Sequence, residues 1–282
     1  MTTTHAPVGG LDAAAEPRAR FSDLMAAEWI KLRSLRSTWF AYGATALAVV
    51  GFNAGTAYDT YTYWPQRSAT DRADYVRAGM ALQDAFTANS AMVMMLALGA
   101  IGALAIIGEY STGTIRTTFA AVPARRSVMA AKTVVVTAVA TVFGAIVAGT
   151  SFALTQAILA GRDAGLSMSH PGALRVVVAS ALLAPVCAVV GVAIGAVIRH
   201  TSATMIASVI VILVLPIVFT EGRHWSAVAG HATLYQAWLR LVEVNPRQTD
   251  FPWTTGGAWS VYAVWALTAA ALAVTSTQRR DQ

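Results

Sequence analysis

The side chains able to do chemistry in this chain gather in one polar stretch, residues 106–132, IIGEYSTGTIRTTFAAVPARRSVMAAK. It holds one carboxylate, Glu109, a run of hydroxyls, and the bases Arg116, Arg125, Arg126 and Lys132, with a long apolar block on either side. These groups can form ion pairs and hydrogen bonds, but no catalytic set is recognisable here or elsewhere. The chain lacks G-x-x-x-x-G-K-[ST], so it carries no Walker-type nucleotide site, and it has neither H-E-x-x-H nor G-x-S-x-G. His224 and His231, seven residues apart, match no standard metal spacing. Cys187 is the only cysteine, which excludes an internal disulfide.

The middle of the stretch reads as a short helix. Thr112-Gly113 start it, Ile115, Thr118, Phe119 and Val122 share one face with Arg116 elsewhere, and Pro123 stops it before Arg125-Arg126. Some two turns of helix are too short to stand alone. The apolar face needs a partner surface, either a protein groove or lipid. A second amphipathic segment, FSDLMAAEWIKLRSLRSTWF, lies near the N-terminus, with Ser22-Asp23 as its expected N-cap. Leu24, Ala27, Ile30 and Leu35 with Trp29 and Trp39 make its apolar side, and Glu28, Lys31, Arg33 and Arg36 the rest. A basic amphipathic helix just before an apolar run is expected to lie in a membrane interface.

The elements that must position these segments are membrane spans. Of 282 residues, 56% are hydrophobic and 12% charged, and the mean hydropathy is +0.56. A soluble domain has about 25% charged residues, so this composition cannot solvate the surface of a globule. Six runs approach the ~20 apolar residues that a span needs: 38–58, 88–107, 128–159, 174–198, 201–219 and 257–276. The expected fold class is therefore an all-α integral membrane protein of six transmembrane helices, occupying 21–282 after a disordered tail, 1–20. The third run exceeds what a membrane needs and is expected to tilt or project into water.

Orientation follows from the bases. With both termini cytoplasmic, the inner segments carry twelve basic residues against six acids, and the outer ones eight of each. The asymmetry is sharpest at span ends, at Lys31, Arg33 and Arg36, at Arg125, Arg126 and Lys132, and at Arg279 and Arg280. The +6 net charge is explained by this anchoring and calls for no nucleic acid.

The spans contain no Asp or Glu, which argues against an ion relay at mid-membrane depth. Asn53 and Gln156, besides hydroxyls, are their mid-span polar groups, and each reads either as a pathway contact or as an interhelical hydrogen bond. Gly191 and Gly195 form a GxxxG pair, with Gly99 and Gly102 close together on the second run, so close packing is expected either at a dimer seam or within the chain. Pro185 and Pro216 can kink spans four and five. Outside, 73–86 reads as a short surface helix. Residues 225–246 show helical periodicity through Leu234, Trp238, Leu241 and Val242 and end at Asn245-Pro246. Trp225, Tyr235, Trp238, Trp253 and Trp259 suit an aromatic belt. This segment is either an amphipathic or re-entrant helix or a plain loop.

The chain resembles the transmembrane subunits of type-2 ABC transporters. The likeness rests on "AEWIKLRSLRSTWF", with Glu28 and Lys31, and on "GEYSTGTIRTTFAAVPARRSVMAAK", with Glu109, Gly113 to Arg116, Pro123 to Arg126 and Lys132. It implies the permease half of an ATP-driven transporter in the bacterial plasma membrane, with export as the direction that the resemblance implies. Two permease copies, or one and a paralogue, would form the pathway. Separate ABC ATPase subunits would hold ATP and Mg, none of which this chain would bind. The resemblance makes the segment that carries Glu28, Trp29, Lys31, Arg33 and Arg36 an elbow helix. It assigns ATPase coupling to Glu109, Thr114, Ile115, Arg116, Phe119, Pro123, Arg125 and Arg126, with Glu109 and Arg116 paired or touching the ATPase. The alternatives are a stand-alone, ion-coupled transporter and a membrane partner without transport.

Overall fold

The computed structural model of the chain describes residues 19–219, 223–244 and 251–276. All of the expected tail but its last two residues lies outside these ranges, as do Asn245-Pro246 and Arg279-Arg280. Among the described residues every regular element is helical and no strand occurs. In chain order the helices are α1 (Phe21–Ser34), α2 (Arg36–Tyr63), α3 (Ala69–Arg77), α4 (Met80–Asp84), α5 (Ala88–Ser111), α6 (Thr114–Ala121), α7 (Arg125–Ala160), α8 (Ala173–Ile198), α9 (Thr201–Val209), α10 (Leu215–Val218), α11 (His224–His231), α12 (Leu234–Val242) and α13 (Thr255–Thr275).

Five helical stretches among the described residues are long and apolar enough to cross a membrane: Met80–Ser111, Arg125–Ala160, Ala173–Ile198, Thr201–Val218 and Thr255–Thr275. The expected span at 38–58 lies in α2, which differs from the other five. Its 28 residues make a rod of about 42 Å, long enough to cross, but its composition is not apolar enough. Three glycines, several threonines and tyrosines, and Asn53 lower its hydropathy. Thr45, Asn53 and Thr60 are buried within the protein, so the polar groups of α2 cost less than the sequence alone suggests.

The core centres on α8, whose inward face buries Val176, Leu183, Cys187, Val190 and Ala196 and which packs against α5, α7, α12 and α13. The small residues explain how closely. A Cβ at Gly191 would stand 1.9 Å from the Gly99 carbonyl oxygen, and one at Gly102 would stand 2.0 Å from the Ala188 carbonyl oxygen. The glycine-rich stripes therefore close the seam between α5 and α8 within one chain. Between α9 and α10 the backbone widens into a π turn, Ile210–Val214, closed by a bond from the Leu215 N–H to the Ile210 carbonyl. Pro216, which has no N–H to donate, follows at once.

Two outer segments differ from their expected form. The helix expected at 73–86 is two helices, α3 and α4, broken at Gly79, whose φ of +65° favours glycine. The 225–246 segment is likewise split, at Ala232-Thr233. The Thr233 hydroxyl donates to the Gly230 carbonyl (2.7 Å) and accepts from the Gln236 N–H (3.4 Å), ending α11 and capping α12. The expected face of α12 is the one it buries. Trp238, however, is not in a belt. It is 2% exposed and its indole N–H donates to the Ser180 hydroxyl at 3.2 Å.

Candidate functional site

At one end of the bundle, α5 hands over to α6 and α6 to α7. The last carbonyls of α5 would be orphans at a helix end, and the STGT run supplies local donors. The Ser111 and Thr112 hydroxyls donate to the Gly108 carbonyl, at 3.0 and 2.8 Å. Gly113, with φ +74°, turns the chain into α6. Val122 caps α6 in extended backbone, just before Pro123.

The apolar face of α6 is seated on the chain itself. Ile115 is 4% exposed. Phe119 and Val122 pack on Leu24 of α1 and Val128 and Ala131 of α7. The Arg125 guanidinium lies 5.3 Å from the centre of the Phe119 ring. The opposite face, with Thr114, Arg116, Thr117 and Ala120, is exposed, as are Pro123 and Arg126.

Beneath α6 four charges meet. The Lys132 ammonium on α7 donates to Glu28 Oε2 of α1 at 2.5 Å and to Glu109 Oε1 of α5 at 2.9 Å. The Lys31 ammonium donates to Glu28 Oε1 at 2.8 Å and to the same Glu109 oxygen at 3.0 Å. Two acids and two bases thus alternate, tying α1, α5 and α7 together. Glu28 and Lys132 are almost wholly buried, while Lys31 keeps 39% of its side chain exposed. Burial alone would lower the Lys31 pKa, but the bonds to and charges of Glu28 and Glu109 outweigh it and raise it. Glu109 Oε2 is buried without a hydrogen-bond partner.

The chain has only two lysines, among eighteen arginines, and both are in this cluster. A compact ammonium with three rotatable donors can bridge two carboxylates where the flat guanidinium fork does not fit. That contrast in residue type was the available signal for the cluster, together with one lysine inside an apolar run.

Several expectations need correction. Glu109 does not pair with Arg116. Its partners are Lys31 and Lys132, and Arg116 is exposed with no bonded partner among the described residues. Arg36 is not part of the elbow helix but opens α2. The inward stripe of α1 is Leu24, Glu28 and Leu32, whereas Ile30 and Leu35 are exposed. An acid can sit in that stripe because Lys132 neutralises it. The cap of α1 is Arg20, whose N–H donates to the Asp23 carboxylate at 3.0 Å.

Asn53 and Gln156 both bind within the chain. Asn53 donates to the Ser151 hydroxyl (3.1 Å) and accepts from the Thr87 N–H and hydroxyl. Gln156 donates to the Ala81 carbonyl (2.9 Å) and accepts from the Leu166 N–H (2.7 Å).

A bundle of this kind, with a short helix seated across one end and the amphipathic helix α1 ion-paired to α5 and α7, defines a multi-pass membrane protein. Residues 24–219 match the model of the family described as ABC-2 family transporter protein. The chain belongs to that family and is the membrane component of such a transporter. The match begins in α1 and ends after α10, so it contains α6 and the whole ion cluster. No curated protein matches the chain.

Proposed function

We propose that this chain is the permease subunit of an ATP-driven exporter, working as a pair of permeases with separate ATPase subunits that hold ATP and Mg. Both termini and α6 face the cytoplasm, α2 is the first of six spans, and α6 is the coupling helix. The observation that carries this reading is the two-sidedness of α6. Its apolar face is already satisfied by α1 and α7, which leaves Thr114, Arg116, Thr117, Pro123 and Arg126 as the surface offered to a partner. Arg116 is the contact residue of this surface. Glu109 is a positioning residue, because both of its lysine partners belong to this chain.

The test is co-expression with the partner ATPase. Arg116→Ala should lower ATP hydrolysis by the assembled transporter while leaving membrane insertion and heat resistance intact. Glu109→Gln should lower heat resistance as well. Unchanged hydrolysis in Arg116→Ala would remove the coupling assignment. For orientation, Thr117→Cys should react with an impermeant maleimide only from the cytoplasm and Val228→Cys only from outside. The native Cys187 is fully buried and gives no background. Labelling of both from one side would refute the topology.

A further inference from the structure

A groove of about 590 Å³ opens on the flank of the bundle beside the ion cluster. Ala26 and Trp29 of α1, Trp39 of α2, and Ala138, Val142 and Ile146 of α7 line it. The walls are apolar and open sideways, with Val142 60% and Ile146 62% exposed. The volume lies within the ~300–1,000 Å³ range of small-molecule sites.

Trp29 and Trp39 bring the groove to the junction of α1 and α2, where the Trp39 indole N–H donates to the Arg33 carbonyl at 3.3 Å. Ala26, Trp29 and Arg33 are spaced i, i+3, i+7 along α1, and Arg36 and Trp39 are spaced i, i+3 along α2, so each arginine shares a face with a groove-lining indole. Both arginines are exposed. Neither guanidinium has a bonded partner among the described residues, and the nearby acids Glu28 and Glu109 are already held by the lysines. The two indoles that line the apolar slot are thus each followed or preceded, one helical turn away, by an unneutralised fork suited to phosphate, with indoles placed as at a membrane surface.

We propose that this groove binds an anionic phospholipid of the surrounding bilayer, one acyl chain in the slot and the phosphate between Arg33 and Arg36. Two-fold pairing of copies through the groove would instead bring four arginines together, with Glu28 and Glu109 already held by the lysines.

The test uses the full chain in vesicles containing phospholipids with brominated acyl chains, which quench nearby indoles. Trp29 and Trp39 are read as the difference between the chain and its W29F/W39F variant. Brominated phosphatidylglycerol should quench this emission at a lower mole fraction than brominated phosphatidylcholine, by on the order of 5-fold per arginine. R33Q/R36Q should abolish the preference and R33K/R36K should keep most of it. A138L, which narrows the slot, should weaken quenching by both lipids. Equal quenching by the two headgroups, or a preference that survives R33Q/R36Q, would overturn the proposal. So would cross-linking of Val142→Cys to a second copy with no bromine quenching.

Discussion

Replacing Lys132 by methionine removes the buried member of the ion cluster and leaves its shape almost unchanged. Glu28 and Glu109 would then share Lys31 alone, and the cluster would change from neutral to one net negative charge. Glu28 has 5% and Glu109 13% of its side chain exposed, so water can do little for the stranded charge. Breaking a buried pair by removing one partner costs about 3–5 kcal/mol. For a chain of this size that corresponds to a fall in melting temperature of roughly 6–20 °C. The same change at Lys31 should cost about 1 kcal/mol or less, because that ammonium is partly solvated. The assay is the fraction of monodisperse protein left after heating in mild detergent. Lys132→Met combined with Glu109→Gln should recover part of the loss, since the second change removes the orphaned charge. Lys132→Arg should also lose stability, because the guanidinium must replace an ammonium held by two carboxylates. Equal melting of the Lys31 and Lys132 variants, or no recovery in the double variant, would refute the assignment of a buried, mutually neutralised cluster.

Two further predictions use the same assay. Gly191→Ala and Gly102→Ala should each destabilise by ~1–3 kcal/mol, because the new methyl would meet backbone carbonyls of the facing helix. Gly51→Ala, whose Cβ would enter open space, should be neutral or slightly stabilising; loss at position 51 equal to that at 191 would refute the α5–α8 seam. The raised Lys31 pKa means that its contribution to stability is fully present below the ordinary lysine value of ~10.4 and is lost as pH rises through the higher folded value. Heat resistance should therefore show an alkaline limb that shrinks in Lys31→Met, and an unchanged limb would separate Lys31 from the cluster.

Which parts of this protein were legible follows from the range of the interactions involved. Apolar runs are local, so five of the six expected spans correspond to helices long and apolar enough to cross. The sixth sits in α2, where interior hydrogen bonds such as Asn53 to Ser151 offset a composition that hydropathy penalises. The existence of α6 is also local, written in Gly113 and Pro123. Its seating is not, because Leu24 and Phe119 are brought together only by the bundle. The same holds for the ion cluster, which joins positions as far apart as 28 and 132. A pattern reading places Glu28 on the polar side of α1 because the pattern cannot supply Lys132. The break between α11 and α12 was available in the sequence: Thr233 and Gln236 have the S/T-x-x-Q spacing of a capping box, inside a stretch that looks continuously periodic.

In the proposed reading, the manner in which α6 is seated decides how a push on it travels. A helix gripped by its partner through its apolar face would move with that partner. Here the apolar face is buried on Leu24, Val128 and Ala131, so a force on Arg116 bears directly on α1 and α7. The cluster of Glu28, Lys31, Glu109 and Lys132 adds α5 to the same unit. Helix α7 then runs 36 residues, about 54 Å, to the far end of the bundle. There Gln156 is bonded to the Ala81 carbonyl of α4 and to the Leu166 N–H beyond α7. A displacement at α6 therefore meets a packed and hydrogen-bonded rod that reaches the opposite face, and the ion cluster is the joint that keeps α1, α5 and α7 from sliding past one another when it moves.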